Sequence, residues 1–188
     1  SPPDDGGRPQ LTLPDEEVAA SPAWYNAPSG GAPVINLQPA DAFSLAARAA
    51  VLNAAYADYF VPLHVTPEQM STMDTLYDVD LSRSVVAVAD GTLVGMALLS
   101  RRQRRGWISA VGVVPDSRRS GVARRMMHYL VDQACAADLH RLTLEVISEN
   151  AGARRLYDSL GFVARRELLT WQFPADGGPL PIPRERPV

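Results

Sequence analysis

The sequence predicts an α/β or α+β fold: a mixed, mostly antiparallel sheet with helices on both faces. Strand-like and helix-like segments follow one another in the order βααβββαβαβ within residues 33–173. Of the 16 prolines, 8 lie in residues 1–39 and 5 in residues 174–188. We therefore expect a Pro-rich extension over residues 1–32, one domain over residues 33–173 and a Pro-rich tail over residues 174–188.

The first half of the domain is expected to hold one strand and two helices. A short strand over residues 34–37 is ended by Pro39. Asp41 is a candidate N-cap for a helix to residue 56, because apolar residues then recur on one face. Residues 66–69 read Thr-Pro-Glu-Gln, which is a capping box with Pro at the first helical position. A second helix is therefore predicted to run from there to residue 76.

The second half is expected to begin with two hairpins. The β-branched run over residues 84–89 and the Asp90-Gly91 turn predict a hairpin with residues 92–100. A second hairpin turns through residues 101–106 into a strand that Pro115 ends. The elements expected after it are a helix over residues 121–137, a strand over residues 141–148, a helix over residues 151–160 and a strand over residues 162–173.

Composition excludes several classes of protein. No apolar run approaches the roughly 18 residues that span a bilayer, and no stretch is typical of a signal peptide, so a cytoplasmic protein is expected. The single cysteine, Cys135, excludes a disulfide framework and a Cys-rich zinc site. We expect Cys135 to be a small buried residue and expect no metal. The net charge of −3 disfavours nucleic acid as the default partner, although all 18 basic residues are Arg.

The most informative segment is residues 111–123, which read Val-Gly-Val-Val-Pro-Asp-Ser-Arg-Arg-Ser-Gly-Val-Ala. A strand ends there, a basic loop follows and a long helix begins. The N–H groups and partial positive charge of a helix start can hold a phosphate, and Gly121 lets the backbone approach it closely. The glycines and lysine of the common nucleotide loops are missing. Taken alone, the segment is explained equally well as an ordinary turn with solvated arginines.

A second segment, residues 144–162, decides between these interpretations. It reads Leu-Glu-Val-Ile-Ser-Glu-Asn-Ala-Gly-Ala-Arg-Arg-Leu-Tyr-Asp-Ser-Leu-Gly-Phe. Together the two segments resemble the GNAT superfamily of acetyl-coenzyme A-dependent N-acetyltransferases. Residues 118–123 fit the Gln/Arg-x-x-Gly-x-Gly/Ala loop of that superfamily, and residues 150–162 fit its Asn-x-x-Ala-x-x-Leu-Tyr-x-x-x-Gly-Phe signature. The resemblance covers residues 34–173, is weakest before residue 84 and implies the GNAT acyltransferase fold.

The resemblance implies that acetyl-CoA is the co-substrate and that the 118–123 loop binds its pyrophosphate. Val111 and Val113 match strand positions whose backbone pairs with the pantetheine arm; a simple buried strand is compatible with this role. Gly112 is expected to mark a β-bulge that aims an N–H at the thioester oxygen. Asn150 matches the asparagine that binds the coenzyme arm, and it is also a candidate N-cap. The implied coenzyme-binding set is Val111, Gly112, Val113, Arg118, Arg119, Ser120, Gly121, Val122, Ala123, Arg124 and Asn150, with Arg154 and Arg155 as further candidates for the 3′-phosphate.

Two residues are implied as catalytic, and no covalent intermediate is expected. Tyr157 matches the acid that protonates the departing thiolate, and a phenol with a pKa of about 10 can donate to a thiol of pKa about 8.5. The alternative for Tyr157 is a buried aromatic on a short helix. Glu145 is the candidate base for the amine, because a charged side chain within an otherwise apolar strand is costly to bury unless it has a specific role. The alternative for Glu145 is a structural pair with an Arg.

The resemblance also implies that the connection between the first two helices forms one wall of the acceptor site. In this sequence that connection is residues 56–66, called the acceptor wall. Asp58 is a candidate for attracting a cationic amine, and Tyr56, Tyr59 and Phe60 are candidates for stacking on it. The alternative is an apolar connection with Tyr56 and Phe60 in the core. His64 is a weaker second base, and Asp74, Asp78 and Asp80 would add negative charge that suits a basic acceptor.

The expected partner is a primary amine on a small molecule, a peptide or protein N-terminus, or a Lys side chain. Residues 101–105, Arg-Arg-Gln-Arg-Arg, form either a solvated hairpin tip or a patch for an acidic partner or nucleic acid. No membrane partner is expected, nucleic acid is disfavoured, and a homodimer is compatible with the sequence. The alternative function is a non-catalytic acyl-CoA sensor or interaction module on the same fold.

Overall fold

The computed structural model describes residues 34–61 and 63–169. The 1–32 extension, the 174–188 tail and residues 170–173 lie outside the described residues. The strands are β1 (Ile35–Pro39), β2 (Val85–Ala89), β3 (Thr92–Arg102), β4 (Arg105–Val113) and β5 (Arg141–Leu144). The α-helices are α1 (Leu45–Ala55), α2 (Pro67–Leu76), α3 (Val122–Ala136) and α4 (Ala151–Ser159), and short 3₁₀ helices cover Ala40–Ala42 and Pro115–Ser117.

The strands form one sheet in the order β1-β2-β3-β4-β5. Each of the first three pairs is antiparallel, and β4 and β5 run parallel. The predicted mixed, mostly antiparallel sheet is therefore confirmed. The Asp90-Gly91 turn is confirmed as well, with φ values of 49° and 78° at its two residues, the left-handed backbone that a two-residue hairpin turn requires.

Helices cover both faces of this sheet, as predicted. Alternate residues of β2 are buried on opposite sides: Val85 packs in the cluster that contains α3, and Val86 in the cluster that contains α1 and α2. Met126 and Leu130 of α3 are fully buried in the first cluster. Because side chains of a strand point alternately to its two faces, both sides of the sheet carry a core. Among the described residues, no helix is long and apolar enough to cross a membrane.

The first helix begins later than predicted. Asp41 lies in the 3₁₀ helix, and Phe43 returns to an extended backbone that interrupts helical geometry. Ser44 is the N-cap of α1, where its hydroxyl accepts a hydrogen bond from the Ala47 N–H at 3.2 Å. The Asp41 cap is thus wrong. By contrast, α2 begins as predicted, with the Thr66–Gln69 capping box and Pro67 at the first position.

The strand predicted over residues 141–148 is shorter than expected, because β5 ends at Leu144. Its last paired residue, Leu144, lies opposite Ile108 of β4. The next residue of β4, Ser109, is an extra residue: Leu98 pairs with Ala110 and Leu99 with Ile108. This β-bulge breaks the regular edge of β4, so the parallel ladder stops there. The predicted final strand is also wrong over residues 162–169, where the structure has no strand.

Candidate functional site

The 118–123 loop leads into α3 through a strained turn with open space in front of it. Arg119 and Gly121 both have left-handed backbones, with φ values of 64° and 85°. Gly121 is the N-cap of the 15-residue α3 and offers no side-chain acceptor to the first N–H groups of the helix. A Cβ built on Gly121 would meet nothing within 4 Å. The arrangement therefore suits an anion at the positive end of a long helix.

The side chain of Arg118 does not point into this space. Its guanidinium donates to both carboxylate oxygens of Asp58, at 2.8 and 2.6 Å. It also donates to the carbonyls of Ala55 and Val113, each at 3.0 Å. Arg118 was expected at the coenzyme and Asp58 at the acceptor amine, yet these two side chains bind each other. They lie 60 residues apart, and no local signal in the sequence predicts such a contact.

Gly112 has a different role from the one predicted. It pairs with Met96 in a regular part of the ladder, and the bulge of β4 lies at Ser109, so the predicted bulge at Gly112 is wrong. A Cβ on Gly112 would lie 2.8 Å from Ala55 Cβ and 2.9 Å from Tyr56 Cε2. Gly112 therefore lies in tight contact with the end of α1. Just beside it, the Tyr56 hydroxyl donates to the Val111 carbonyl at 3.1 Å.

The far end of β4 is open on the side where β5 would continue. Residues 105–108 pair with both β3 and β5, whereas residues 110–113 pair with β3 alone. Val111 is partly exposed there, while Val113 is 8% exposed. The uncovered edge of β4 at Val111, the strand position that was predicted to meet the coenzyme arm, is called the cleft.

Helix α4 brings Tyr157 to this cleft. Asn150 caps the helix, accepting a hydrogen bond from the Ala153 N–H at 3.0 Å, so the predicted N-cap is confirmed. Tyr157 is half-buried, with its ring 6.1 Å from that of Phe162. Burial, and then the nearby phenols of Tyr56 and Tyr59, raise the pKa of Tyr157 to about 12. Three tyrosines from two distant parts of the chain thus meet at one place.

Two of the arginines expected at the coenzyme phosphates, Arg124 and Arg154, form hydrogen bonds with α4 or with the segment that precedes it. Arg124, in the first turn of α3, donates to the Ser159 hydroxyl at 2.9 Å and so links the two sequence motifs. Arg154 donates to the Ser148 carbonyl at 3.3 Å. Ser120 donates to the Ser117 carbonyl at 2.6 Å, which closes the turn before α3. Val122 is buried under the helix start, and Ala123 is partly buried beside it.

Glu145 is the predicted site residue whose setting differs most from expectation. It follows the last residue of β5 and is exposed, so it is not a charge enclosed by an apolar strand. The structure places it at the start of the connection from β5 to α4. Cys135 also differs from its prediction, because it is exposed instead of buried.

The acceptor wall presents aromatic and apolar side chains. The ring centroids of Tyr56 and Tyr59 are 4.8 Å apart, and those of Tyr59 and Phe60 are 5.3 Å apart. Phe60 is 55% exposed and Val61 57% exposed, so the alternative of a core position for Phe60 is wrong. Tyr56 does pack partly against the core beneath α1. The wall therefore offers an apolar surface beside Tyr157.

The acidic residues that were expected to add charge at this wall are all paired with arginines, and Asp78 and Asp80 lie at the hairpin end of β3 instead of beside the wall. The pairs are Asp58–Arg118, Asp74–Arg48, Asp78–Arg102 and Asp80 with both Arg83 and Arg101. The acidic surface that would suit a basic acceptor is thus largely neutralised. At the hairpin tip, Arg101, Arg102 and Arg104 are each paired with an aspartate, which reduces the attraction of the tip for an acidic partner.

Comparison with known proteins supports the inference drawn from the two motifs. The model of a family described as acetyltransferase (GNAT) matches residues 50–162. The [ribosomal protein bS18]-alanine N-acetyltransferase of Escherichia coli K12 is 40% identical over 52 residues, which are 28% of this chain and 35% of that protein. The enzyme of the same name from Salmonella typhimurium is 32% identical over 74 residues, 39% of this chain and 50% of its own. The chain thus spans a third to a half of these relatives.

Solved structures show the same fold. Ard1 from Thermoplasma volcanium has a TM-score of 0.60 at 20% identity, over 70% of this chain and 84% of its own. The ribosomal-protein-S18-alanine N-acetyltransferase from Escherichia coli has a TM-score of 0.59 at 21% identity, over 71% and 80%. The predicted fold class is therefore confirmed. Since the family model covers more than half of the sequence, the chain belongs to the acetyltransferase (GNAT) family.

Proposed function

We propose that this protein transfers an acetyl group from acetyl-CoA to a primary amine, by direct attack of the amine in a ternary complex. The observation that carries the proposal is the meeting of four elements at one cleft. These are the uncapped start of α3, the open end of β4, Tyr157 on α4 and the acceptor wall. The amine belongs to a small molecule, a peptide or protein N-terminus, or a Lys side chain. The names of the curated relatives favour a protein N-terminus within this class.

The open front of α3 fits the pyrophosphate of acetyl-CoA. A phosphate there would accept hydrogen bonds from the first N–H groups of the helix, which have no side-chain cap. Gly121 leaves the space that a Cβ would enter, and Arg119 adds an exposed positive charge. The backbone of Val111 and Val113, and the Asn150 amide, are proposed to hold the pantetheine arm. Acetyl-CoA supplies the activated acetyl group, and the chain supplies orientation and proton transfer.

Tyr157 is proposed to stabilise the sulfur that leaves. With a pKa of about 12, its phenol stays protonated at neutral pH and can always donate a hydrogen bond. Full transfer of that proton to a thiolate of pKa about 8.5 would be uphill by roughly 5 kcal/mol. We therefore assign Tyr157 a hydrogen bond to the departing sulfur, one that strengthens as negative charge develops on it.

Glu145 is proposed as the base. An amine is mostly protonated at neutral pH and must lose a proton before its nitrogen can attack the acetyl carbon. The exposed position of Glu145 allows it to accept that proton directly or through one water and to release it to solvent. The carbon–sulfur bond breaks as the carbon–nitrogen bond forms, the nitrogen loses its second proton to water, and the sulfur leaves as a thiolate that takes up a proton from solvent.

The release of free thiol from acetyl-CoA, measured across a panel of amines and alanine-initiated peptides, tests this proposal. We expect Tyr157→Phe to lower kcat at least tenfold while the Kd for acetyl-CoA changes less than threefold. Glu145→Gln should lower kcat while leaving the Kd for acetyl-CoA unchanged. Tight acetyl-CoA binding without thiol release from any amine would support the non-catalytic sensor instead. An unaltered rate in Tyr157→Phe would remove Tyr157 from the mechanism.

A further inference from the structure

Arg118 connects three separate parts of the structure through one side chain. Its Nε donates to the carbonyl of Val113, the last residue of β4. Its Nη2 donates to the carbonyl of Ala55, the last residue of α1. Both terminal nitrogens donate to Asp58 on the acceptor wall. These contacts engage all three nitrogens of the guanidinium fork, so little of its donor capacity is left for a phosphate.

The contact with Asp58 is unlike an isolated surface ion pair. The two side chains are 39% and 52% exposed, and a simple pair with that exposure contributes little. Here both carboxylate oxygens are bound by a planar fork, which fixes orientation as well as distance. The same guanidinium also satisfies a carbonyl at the end of α1, where the helix itself supplies no donor. The geometry is that of a clamp between the 118–123 loop and the acceptor wall.

The clamp acts on the residues that surround Tyr157. Asp58 lies between Tyr56 and Tyr59 in the chain, and both phenols are close enough to Tyr157 to affect its ionisation. Tyr56 is also held from the other side by Val111 and Gly112. If the clamp opens, the segment after α1 loses its attachment to the loop, and its aromatic face is free to shift relative to the cleft.

We propose that Arg118 is a positioning residue that clamps the acceptor wall to the 118–123 loop and thereby sets the affinity for the amine, and that it does not bind the coenzyme phosphates. This inference rests on the proposed function, because it assigns the wall to the amine. It differs from the role that the sequence motif alone implies for Arg118. Its consequence is that the loop which receives the coenzyme and the wall which receives the amine are mechanically joined.

The test compares Arg118→Gln, Asp58→Asn and the double variant with the wild type. Hydrogen exchange of the amides of residues 56–61 should accelerate about three- to tenfold in each variant, with the amides of α3 unchanged. The KM for an alanine-initiated peptide should rise about three- to tenfold with kcat within twofold. The Kd for acetyl-CoA, measured by calorimetry, should stay within twofold. The double variant should resemble Arg118→Gln, because Asp58→Asn disrupts a contact that Arg118→Gln has already removed.

Arg102→Gln is the matched control, since Arg102 forms an exposed pair with Asp78 at the hairpin tip, away from the cleft. It should leave exchange in residues 56–61 and both kinetic constants unchanged. Asp58→Glu should restore part of the affinity for the amine, which a loss of folding would not allow. Unchanged exchange of residues 56–61 in Asp58→Asn would overturn the clamp, as would a tenfold weaker Kd for acetyl-CoA in Arg118→Gln. A wild type that does not bind acetyl-CoA would refute the proposed function, while the exchange data would still decide the clamp.

Discussion

The tight contact between α1 and β4 at Gly112 makes Gly112→Ala an informative substitution. The added methyl group would lie 2.8 Å from Ala55 Cβ and 2.9 Å from Tyr56 Cε2. Carbon atoms pack at about 3.5–4.0 Å, so the end of α1 would have to retreat by about 0.7 Å. Overpacking of this kind costs about 1–3 kcal/mol, and a weakened Tyr56–Val111 hydrogen bond adds about 1 kcal/mol. Alanine regains about 0.5–1 kcal/mol of backbone entropy, so we expect a net loss of about 1–3 kcal/mol.

Urea unfolding at neutral pH measures this loss as a lower midpoint with an unchanged slope. Gly152→Ala is the control, because it lies within α4 and its new Cβ would have only one neighbour, Asn150 Oδ1 at 3.8 Å. That variant should gain about 0.5–1 kcal/mol. Gly112→Ala should also raise the KM for the amine, since the retreat of α1 moves Tyr56. If Gly112→Ala were as stable as the wild type, the contact between α1 and β4 would not be the tight one described.

Three further predictions follow from the site. Burial raises the pKa of Tyr157 to about 12, so on raising the pH this phenol ionises first in the unfolded chain. The free energy of unfolding should therefore be unaffected by Tyr157 below pH 10 and fall by up to about 3 kcal/mol as the pH rises from 10 to 12. Urea unfolding of Tyr157→Phe should show a smaller fall over the same range. Gly121→Val should weaken acetyl-CoA binding ten- to a hundredfold in calorimetry, since its side chain would enter the space before α3; equal affinity would exclude the loop as the phosphate site. A linear polyamine should show no lower KM than a monoamine with an apolar substituent, because Asp58 of the wall and Asp74 of the adjoining α2 are both paired with arginines; a tenfold preference for the polyamine would contradict this.

Features with a local cause were predicted well. The Thr66-Pro67-Glu68-Gln69 box and the Asp90-Gly91 turn each depend on neighbouring residues, and both form as expected. The two motifs were sufficient to identify the family, because loop chemistry and spacing are contained within short segments. The same holds for Asn150, whose capping role depends on a residue three positions away.

Features that depend on distant contacts were not predictable. Whether Asp41 or Ser44 caps α1 depends on how the chain leaves β1 and packs on the sheet. The length of β5 depends on an extra residue in β4. The partner of Arg118 is decided by the position at which α1 ends, which places Asp58 within reach of a loop 60 residues away. Net charge and sequence motifs assign residues such as Arg118 and Asp58 to ligands, because the ion pair between them is visible only in the three-dimensional structure.

The extra residue at Ser109 has a consequence for changes in chain length. Ile108 packs on the α3 side of the sheet, Ala110 on the α1 side and Val111 again on the α3 side, so the usual alternation changes phase at the bulge. Deleting Ser109 would join Ile108 directly to Ala110, and because these two residues already lie on opposite faces, the alternation would become uniform while every other residue of β4 kept its face. Deleting Gly112 instead would make Val111 and Val113 neighbours in the chain, and since both pack on the α3 side, one of them would have to turn towards the wrong layer of helices. We expect natural variants of this protein to accept insertions at the 103–104 turn, or the loss of Ser109, far more readily than any other change in length between residues 105 and 113.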